Sequence, residues 1–186
     1  MKSKIISLVI ASAVLTSSLF GHSKAIKPEF VDMLLKPYFE LQTSLANDDL
    51  AASKKHAASF KTMIGHGPSF EEARSLEGLS EESNTISSAQ DLATARAAFQ
   101  TLSKDFATMV EHVGTTGEQN VYQLSCPMAF DGKGGEWLQN NKSVANPYFG
   151  SMMFSCGAVK QEIGQVKTEK IQVKQEFGPV QQKREK

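Results

Sequence analysis

Apolar side chains recur at three- and four-residue steps along most of this chain, and the pattern breaks down beyond residue 120. Phe30, Met33, Leu34, Tyr38, Leu41 and Leu45 fall on one stripe and predict a helix over 28–46. Pro37 lies inside the stripe, where it either kinks the helix or marks its start after a loose first turn. Asn47-Asp48-Asp49 interrupts the pattern and offers a cap to the next helix. That second helix is predicted over 49–64, where Ala51, Ala52, Ala57 and Ala58 raise the propensity and Leu50, Phe60 and Ile64 supply a thin apolar face. The short link between the two makes them an antiparallel pair. Gly65-His66-Gly67-Pro68 ends the second helix.

Residues 65–86 read as polar and rich in turns, with one short helix over 70–77 opened by the capping box Ser69-Phe70-Glu71-Glu72. The cleanest periodicity lies beyond them. Leu92, Ala95, Phe99, Leu102, Phe106, Met109 and Val113 form a seam over 88–113 that should pack against two other helices. Ser87 with Gln90 serves as its N-terminal box, and Gly114 and Gly117 stop it. Residues 121–160 sustain no long element. They hold the extended-looking Val121-Tyr122-Gln123-Leu124, the glycine loop Asp131-Gly132-Lys133-Gly134-Gly135 and the turn Asn146-Pro147-Tyr148. The expected fold is therefore all-α: a small up-down bundle of three to four helices, capped by an irregular Cys/Met-rich C-terminal segment. Residues 161–186, dominated by Lys, Glu and Gln, read as a polar, mostly disordered tail in which Ile171-Gln172-Val173 needs a partner to form a strand.

Both ends change this picture. Lys2 and Lys4 precede an apolar run from Ile5 to Phe20, and Ser23-Lys24-Ala25 offers small residues at −3 and −1 of a cleavage site. This is the pattern of a secretory signal peptide over 1–25, cleaved after Ala25, and the run is too short for a membrane span. The domain proper then occupies 26–160. Of the 186 residues, 20 are basic and 20 acidic. Loss of Lys2, Lys4 and Lys24 leaves the mature chain acidic by three charges. That balance argues against nucleic acid as a partner. No second apolar span exists downstream, so the expected location is outside the cytoplasm, in a bacterial periplasm, without membrane insertion.

Candidate chemistry gathers at 126–157. Both cysteines, Cys126 and Cys156, lie there with Met128, Met152 and Met153, and the one tryptophan, Trp137, lies between them. Soft thiolate and thioether donors favour Cu(I) over hard cations, whereas thioethers suit zinc poorly. If 151–157 is helical, Met152 or Met153 shares a face with Cys156. In an oxidising compartment the same cysteines also invite a disulfide, closing a loop of about 31 residues worth roughly 3–4 kcal/mol, with the methionines as core fillers. Spacing alone favours the disulfide over the metal site, and the two readings are compatible in one protein. His56 and His112 are further candidate donors or plain helix-surface polars, and His66 sits in a solvated loop. There is no nucleophile elbow, no phosphate loop, no calcium loop and no Cys-x-x-Cys pair, and the carboxylates show no pairing, so no catalytic residue is assigned. Asn141-Lys142-Ser143 matches a glycosylation sequon, read as chance in a bacterial export context.

The order and compact spacing of Cys126-Pro127-Met128-Ala129, Trp137-Leu138, Asn146-Pro147-Tyr148-Phe149-Gly150, Met153 and Cys156-Gly157 resemble a bacterial exported family with a domain of unknown function. That domain is found alone or fused to periplasmic adaptor subunits of heavy-metal efflux pumps. Arg96, Phe99 and Ser103 are similar to its helix pattern, and the resemblance covers roughly residues 28–160. It implies a small helical bundle and a role in copper or other heavy-metal handling. The metal ligands it implies are Cys126, Met128, Met153 and Cys156, with Met152 not carried over. In the metal-binding reading Trp137 and Phe149 would shield the site from water and oxidant. The chain lacks the barrel and hairpin segments of an adaptor. The expectation is a standalone Cu(I)-binding protein with no catalysis, partnered by the metal ion and a heavy-metal efflux component. The competing expectation is an envelope interaction module stapled by a Cys126–Cys156 disulfide and free of metal.

Overall fold

The computed structural model describes residues 26–69 and 73–163. The first helix, α1 (Pro28–Ala46), starts with a proline in its first turn, where the missing N–H costs nothing. Pro37 is buried inside a continuous helix, so the start lies at Pro28 and not beyond Pro37. α2 (Leu50–Ile64) is capped by Asp49, whose carboxylate accepts the Ala52 amide at 2.9 Å. The serine pair Ser44 and Ser53, 2.9 Å apart and buried, ties α1 to α2.

α3 (Ser75–Ser88) is longer than the short helix expected at 70–77, whose first residues lie outside the described ones. It buries Leu76, Leu79, Ser83 and Ile86 at steps of three and four. Ser83 occupies a core position by donating its hydroxyl back to Leu79 O at 2.6 Å, so a polar residue stands on the buried stripe. That serine, among so many Ser and Glu, hides the helix from a hydrophobic pattern. α4 (Leu92–Val113) begins four residues later than expected. Its cap is Asp91, which accepts the Thr94 amide at 2.7 Å, while Ser87 closes the end of α3 through Asn84 O. Gly114, at φ 83°, ends α4 as expected.

Successive helices pack side by side, and α4 closes back on α1, so the helices form a bundle core. Its centre is aromatic. Tyr38 lies 4.9 Å from Phe106 and 5.5 Å from Phe99 between ring centroids, and Phe60 meets Phe106 edge-on at 5.4 Å. All four rings are fully buried.

The molecule is not all-α, however. Residues 121–163 form a three-stranded antiparallel sheet where an irregular cap was expected. Its strands are β1 (Tyr122–Cys126), β2 (Gly135–Gln139) and β3 (Ala158–Glu162), in the order β2-β1-β3. Each strand is five residues long, too short to show alternation, and β3 pairs with β1 across more than thirty residues. A bulge between Gln123 and Leu124 further breaks the pattern. β3 runs through residue 160, so Gln161 and Glu162 belong to the sheet; residues 1–25 and 164–186 lie outside the described residues. β1 and β2 are joined by a tight turn, α5 (Ala129–Gly132), in which Phe130 and Asp131 both take left-handed backbone angles. β2 rests on α1 and α4. There Leu138 donates its amide to the Tyr38 hydroxyl at 3.0 Å, and that hydroxyl also bonds Ser103. Burial of this ring pushes the Tyr38 phenol far above its ordinary range, so it stays protonated and remains a donor.

Candidate functional site

The two cysteines meet. Cys126 ends β1 opposite Gly135 of β2, and Cys156 arrives from the other side, after a 3-10 turn at Gly150–Met153. Their sulfurs are 3.0 Å apart and both are free thiols. Cys126 is fully buried and Cys156 partly exposed, so the pair has one anchored and one accessible sulfur. The contact with the Cys126 thiol, then burial, then the Cys126 charge push the Cys156 thiol above its ordinary range. Cys156 therefore rests as a neutral thiol until a ligand or oxidant displaces its proton.

Register explains why Cys126 is available to Cys156. Leu124 stands opposite Trp137 and Cys126 opposite Gly135, so these positions share one face of the sheet. The 146–157 segment lies over that face. Trp137, fully buried, meets Tyr148 edge-on at 5.8 Å between centroids. Gly157 crosses the indole so closely that an added Cβ would sit 2.8 Å from Trp137 Cη2 and 2.8 Å from Ser125 O, at a φ of +135°.

Asn146 holds this segment in shape. It is fully buried and its side chain uses both ends. Its Nδ2 donates to Cys156 O at 2.7 Å, and its Oδ1 accepts the amides of Tyr148 at 2.8 Å and Phe149 at 3.2 Å. Its own amide donates to Phe154 O at 2.8 Å. One asparagine thus closes the turn that delivers Cys156. The turn is bolted to the bundle by Arg96 of α4. That guanidinium donates to Pro147 O at 2.8 Å, to Leu45 O at 3.0 Å and to Asp48 Oδ1 at 2.5 Å. Asp48, left-handed at φ 58° between α1 and α2, also accepts the Ser151 amide at 2.9 Å. The Ser151 bonds and then Arg96 hold the Asp48 carboxyl down at about 2. Gly150 is required here, because a Cβ would overlap the Asp48 carboxylate.

The remaining sulfur and imidazole candidates are less gathered. Met153 is half-buried in the 3-10 turn, and the Cys156 amide donates to its carbonyl at 3.0 Å, so it stands one turn from the thiol. Met128 and Met152 are exposed, at 58% and 79% of their surface. Phe149 is half-buried against the core. His56 Nδ1 lies 3.3 Å from Glu40 Oε2 across the α1–α2 surface, and His112 Nδ1 lies 2.8 Å from Thr108 O one turn back. Among the described residues, no three His, Cys, Asp or Glu side chains converge as they would around a metal ion of zinc type. No described helix is long and apolar enough to cross a membrane.

The cysteine pair is legible in the sequence, whereas its supports are only partly so. Asn146 and Gly150 stand out as turn residues and Arg96 as part of a helix pattern, but nothing local points to Asp48 as the acceptor shared by Arg96 and Ser151. The signal that carries furthest is an asparagine before a proline with a glycine close behind, because that grouping demands a specific turn.

Comparison with known proteins reaches only the helical part of the chain. Residues 34–118 match a family described as Protein of unknown function (DUF3347). The matched stretch runs from within α1 to just past α4 and ends before β1, so it supports kinship with a domain family of unknown function through the helices. No curated protein and no solved structure matches the chain.

Proposed function

We propose that Cys126 and Cys156 form a soft-metal site, with Cu(I) as the ion, in a protein that acts outside the cytoplasm and performs no catalysis. The observation that carries this reading is the approach of two free thiols to 3.0 Å, one buried and one accessible. A pair of thiolates suits a soft monovalent ion, and the lack of a third His, Cys, Asp or Glu donor among the described residues disfavours zinc. Met153 is the thioether best placed to join, being one turn from Cys156, and Met128 and Met152 are accessible for capture. Trp137, buried on the same sheet face as Cys126, and the half-buried Phe149 would keep water and oxidant away. With residues 1–25 removed on export, the protein would hold the ion and exchange it with a heavy-metal efflux component in the envelope.

The test is a titration of the reduced mature chain with Cu(I) against a competing chelator. Tight one-to-one binding is expected, and a variant carrying Cys126→Ser and Cys156→Ser should lose it while keeping its helical circular dichroism. Equal affinity in that variant would remove the reading.

The same sulfur contact favours a second reading, a disulfide that staples the 146–157 segment to β1. Two thiols would lose two protons and two electrons to an external disulfide or quinone-type oxidant, and the surface so fixed would be presented to a protein partner. Intact mass separates the two states, since the stapled chain weighs two hydrogens less. A chain that fails to compete for Cu(I) when reduced, yet is isolated oxidised, would replace the first reading with this one.

A further inference from the structure

A cleft of about 730 Å3 opens between α4 and the β1–β2 hairpin, with Cys126 in its lining. The chemistry it offers otherwise is that of charges and hydroxyls. Lys104 and Asp105 of α4 line one side, and Lys133 and Glu136 of the hairpin line the other, and Thr101 and Ser125 also belong to the lining. The wall is pre-formed, because Gln100 Nε2 donates to Gly134 O at 3.1 Å and so ties the hairpin turn to the helix.

The partners of these charges decide what the cleft can take. Glu136 is already satisfied: one carboxylate oxygen receives Lys160 at 2.6 Å and the other receives Gln123 at 2.9 Å. Among the described residues, Lys104 and Lys133 make no ion pair, and neither does Asp105. Asp105 instead lies close enough to Glu82 that, after burial, its charge helps push the Glu82 carboxyl above its ordinary range. Three unpaired charges thus remain in the cleft, two positive and one negative, and the negative one has a like-charged neighbour.

We propose that this cleft binds a short acidic peptide carrying two carboxylates and one ammonium group. The two carboxylates would be received by Lys104 and Lys133, each with a neighbouring hydroxyl to complete its hydrogen bonds, and the ammonium by Asp105. This pattern is the charge complement of the three unpaired groups, and charge-assisted hydrogen bonds of this kind fix orientation as well as affinity. The volume lies within the usual range for small-ligand sites, roughly 300–1,000 Å3, which suits a dipeptide or tripeptide better than a lone amino acid.

The experiment is calorimetric titration of the full mature chain with the dipeptide alanylglutamate, which has the required two carboxylates and one amine, and with glutarate, which lacks the amine. Saturable binding of the dipeptide is expected. The variant Lys104→Ala with Lys133→Ala should weaken it by about tenfold or more, and Asp105→Asn should weaken the dipeptide by about tenfold while leaving glutarate unchanged. All three side chains are exposed, so an unaltered thermal midpoint in each variant accompanies the expected result. No saturable heat with millimolar dipeptide, an unchanged affinity in the double-lysine variant, or glutarate binding as tightly as the dipeptide would each overturn the proposal.

Discussion

At the scale of single residues, the thiol pair depends on backbone that only glycine can supply. Gly157 combines a left-handed φ of +135° with a site in which an added Cβ would meet atoms at 2.8 Å on two sides, one of them the Ser125 carbonyl, which cannot swing away as a side-chain end would. We predict that Gly157→Ala costs about 1–3 kcal/mol, the scale of overpacking a filled site. Thermal unfolding would measure that loss, and alkylation of Cys156 should quicken as the segment lifts from Trp137. An alanine variant as stable as the parent would mean that the segment shifts freely over the indole. Asn146 works by a different route, since it satisfies three backbone groups that a side chain without both donor and acceptor would leave buried and unpaired.

At the scale of elements, the clamp of Arg96 and Asp48 joins α4, the α1–α2 link and the turn that carries Cys156. Replacing Arg96 with alanine removes donors from three acceptors at once. The expected loss is roughly 2–3 kcal/mol, the scale of hydrogen bonds to a charged group, because Arg96 is largely buried. Thermal unfolding of Arg96→Ala measures it, and an unchanged midpoint would show that the turn holds without the clamp. The clamp also sets an acid limit. Asp48 is held at about 2, below its ordinary 3.8, so it binds protons less readily when folded than when unfolded. Its contribution is therefore complete above about pH 4 and is lost as the pH falls toward 2. Near-ultraviolet dichroism of Trp137 should track this loss, and Asp48→Asn should flatten the response over that window while lowering stability at neutral pH. A parent and an Asp48→Asn chain with the same acid profile would show that the clamp does not couple to protonation. Carboxylates set the helix boundaries as well. Asp49 and Asp91 cap α2 and α4 by accepting amides at 2.9 and 2.7 Å, so the caps sit at acidic residues directly before each helix.

At the scale of the whole molecule, a four-helix bundle carries a small sheet, and the sheet presents the sulfur pair. The family match ends where the bundle ends, so the helices and the site are described by separate stretches of the chain. If the thiols are oxidised, the bond would link the end of β1 to the start of β3 and constrain roughly 31 residues. The oxidised chain should then exceed the reduced one in stability by roughly 3–4 kcal/mol. Denaturant unfolding with and without reductant measures this, and equal midpoints would show that the bundle, rather than the covalent link, holds the segment. The sequence by itself determined the helices, because α1, α2 and α4 each write their buried face as local periodicity, and it marked Cys126 and Cys156 as candidate site residues by their rarity. It hid α3, whose buried stripe includes Ser83, because a serine that bonds its own helix backbone counts as polar in any pattern. Only the tertiary structure decided the sheet, the contact of the two sulfurs and the clamp that holds them. Strand pairing between 122–126 and 158–162, and one carboxylate shared by Arg96 and Ser151, are satisfied across long separations in the chain. A five-residue strand or a single aspartate carries no local mark of the partner that folding brings to it.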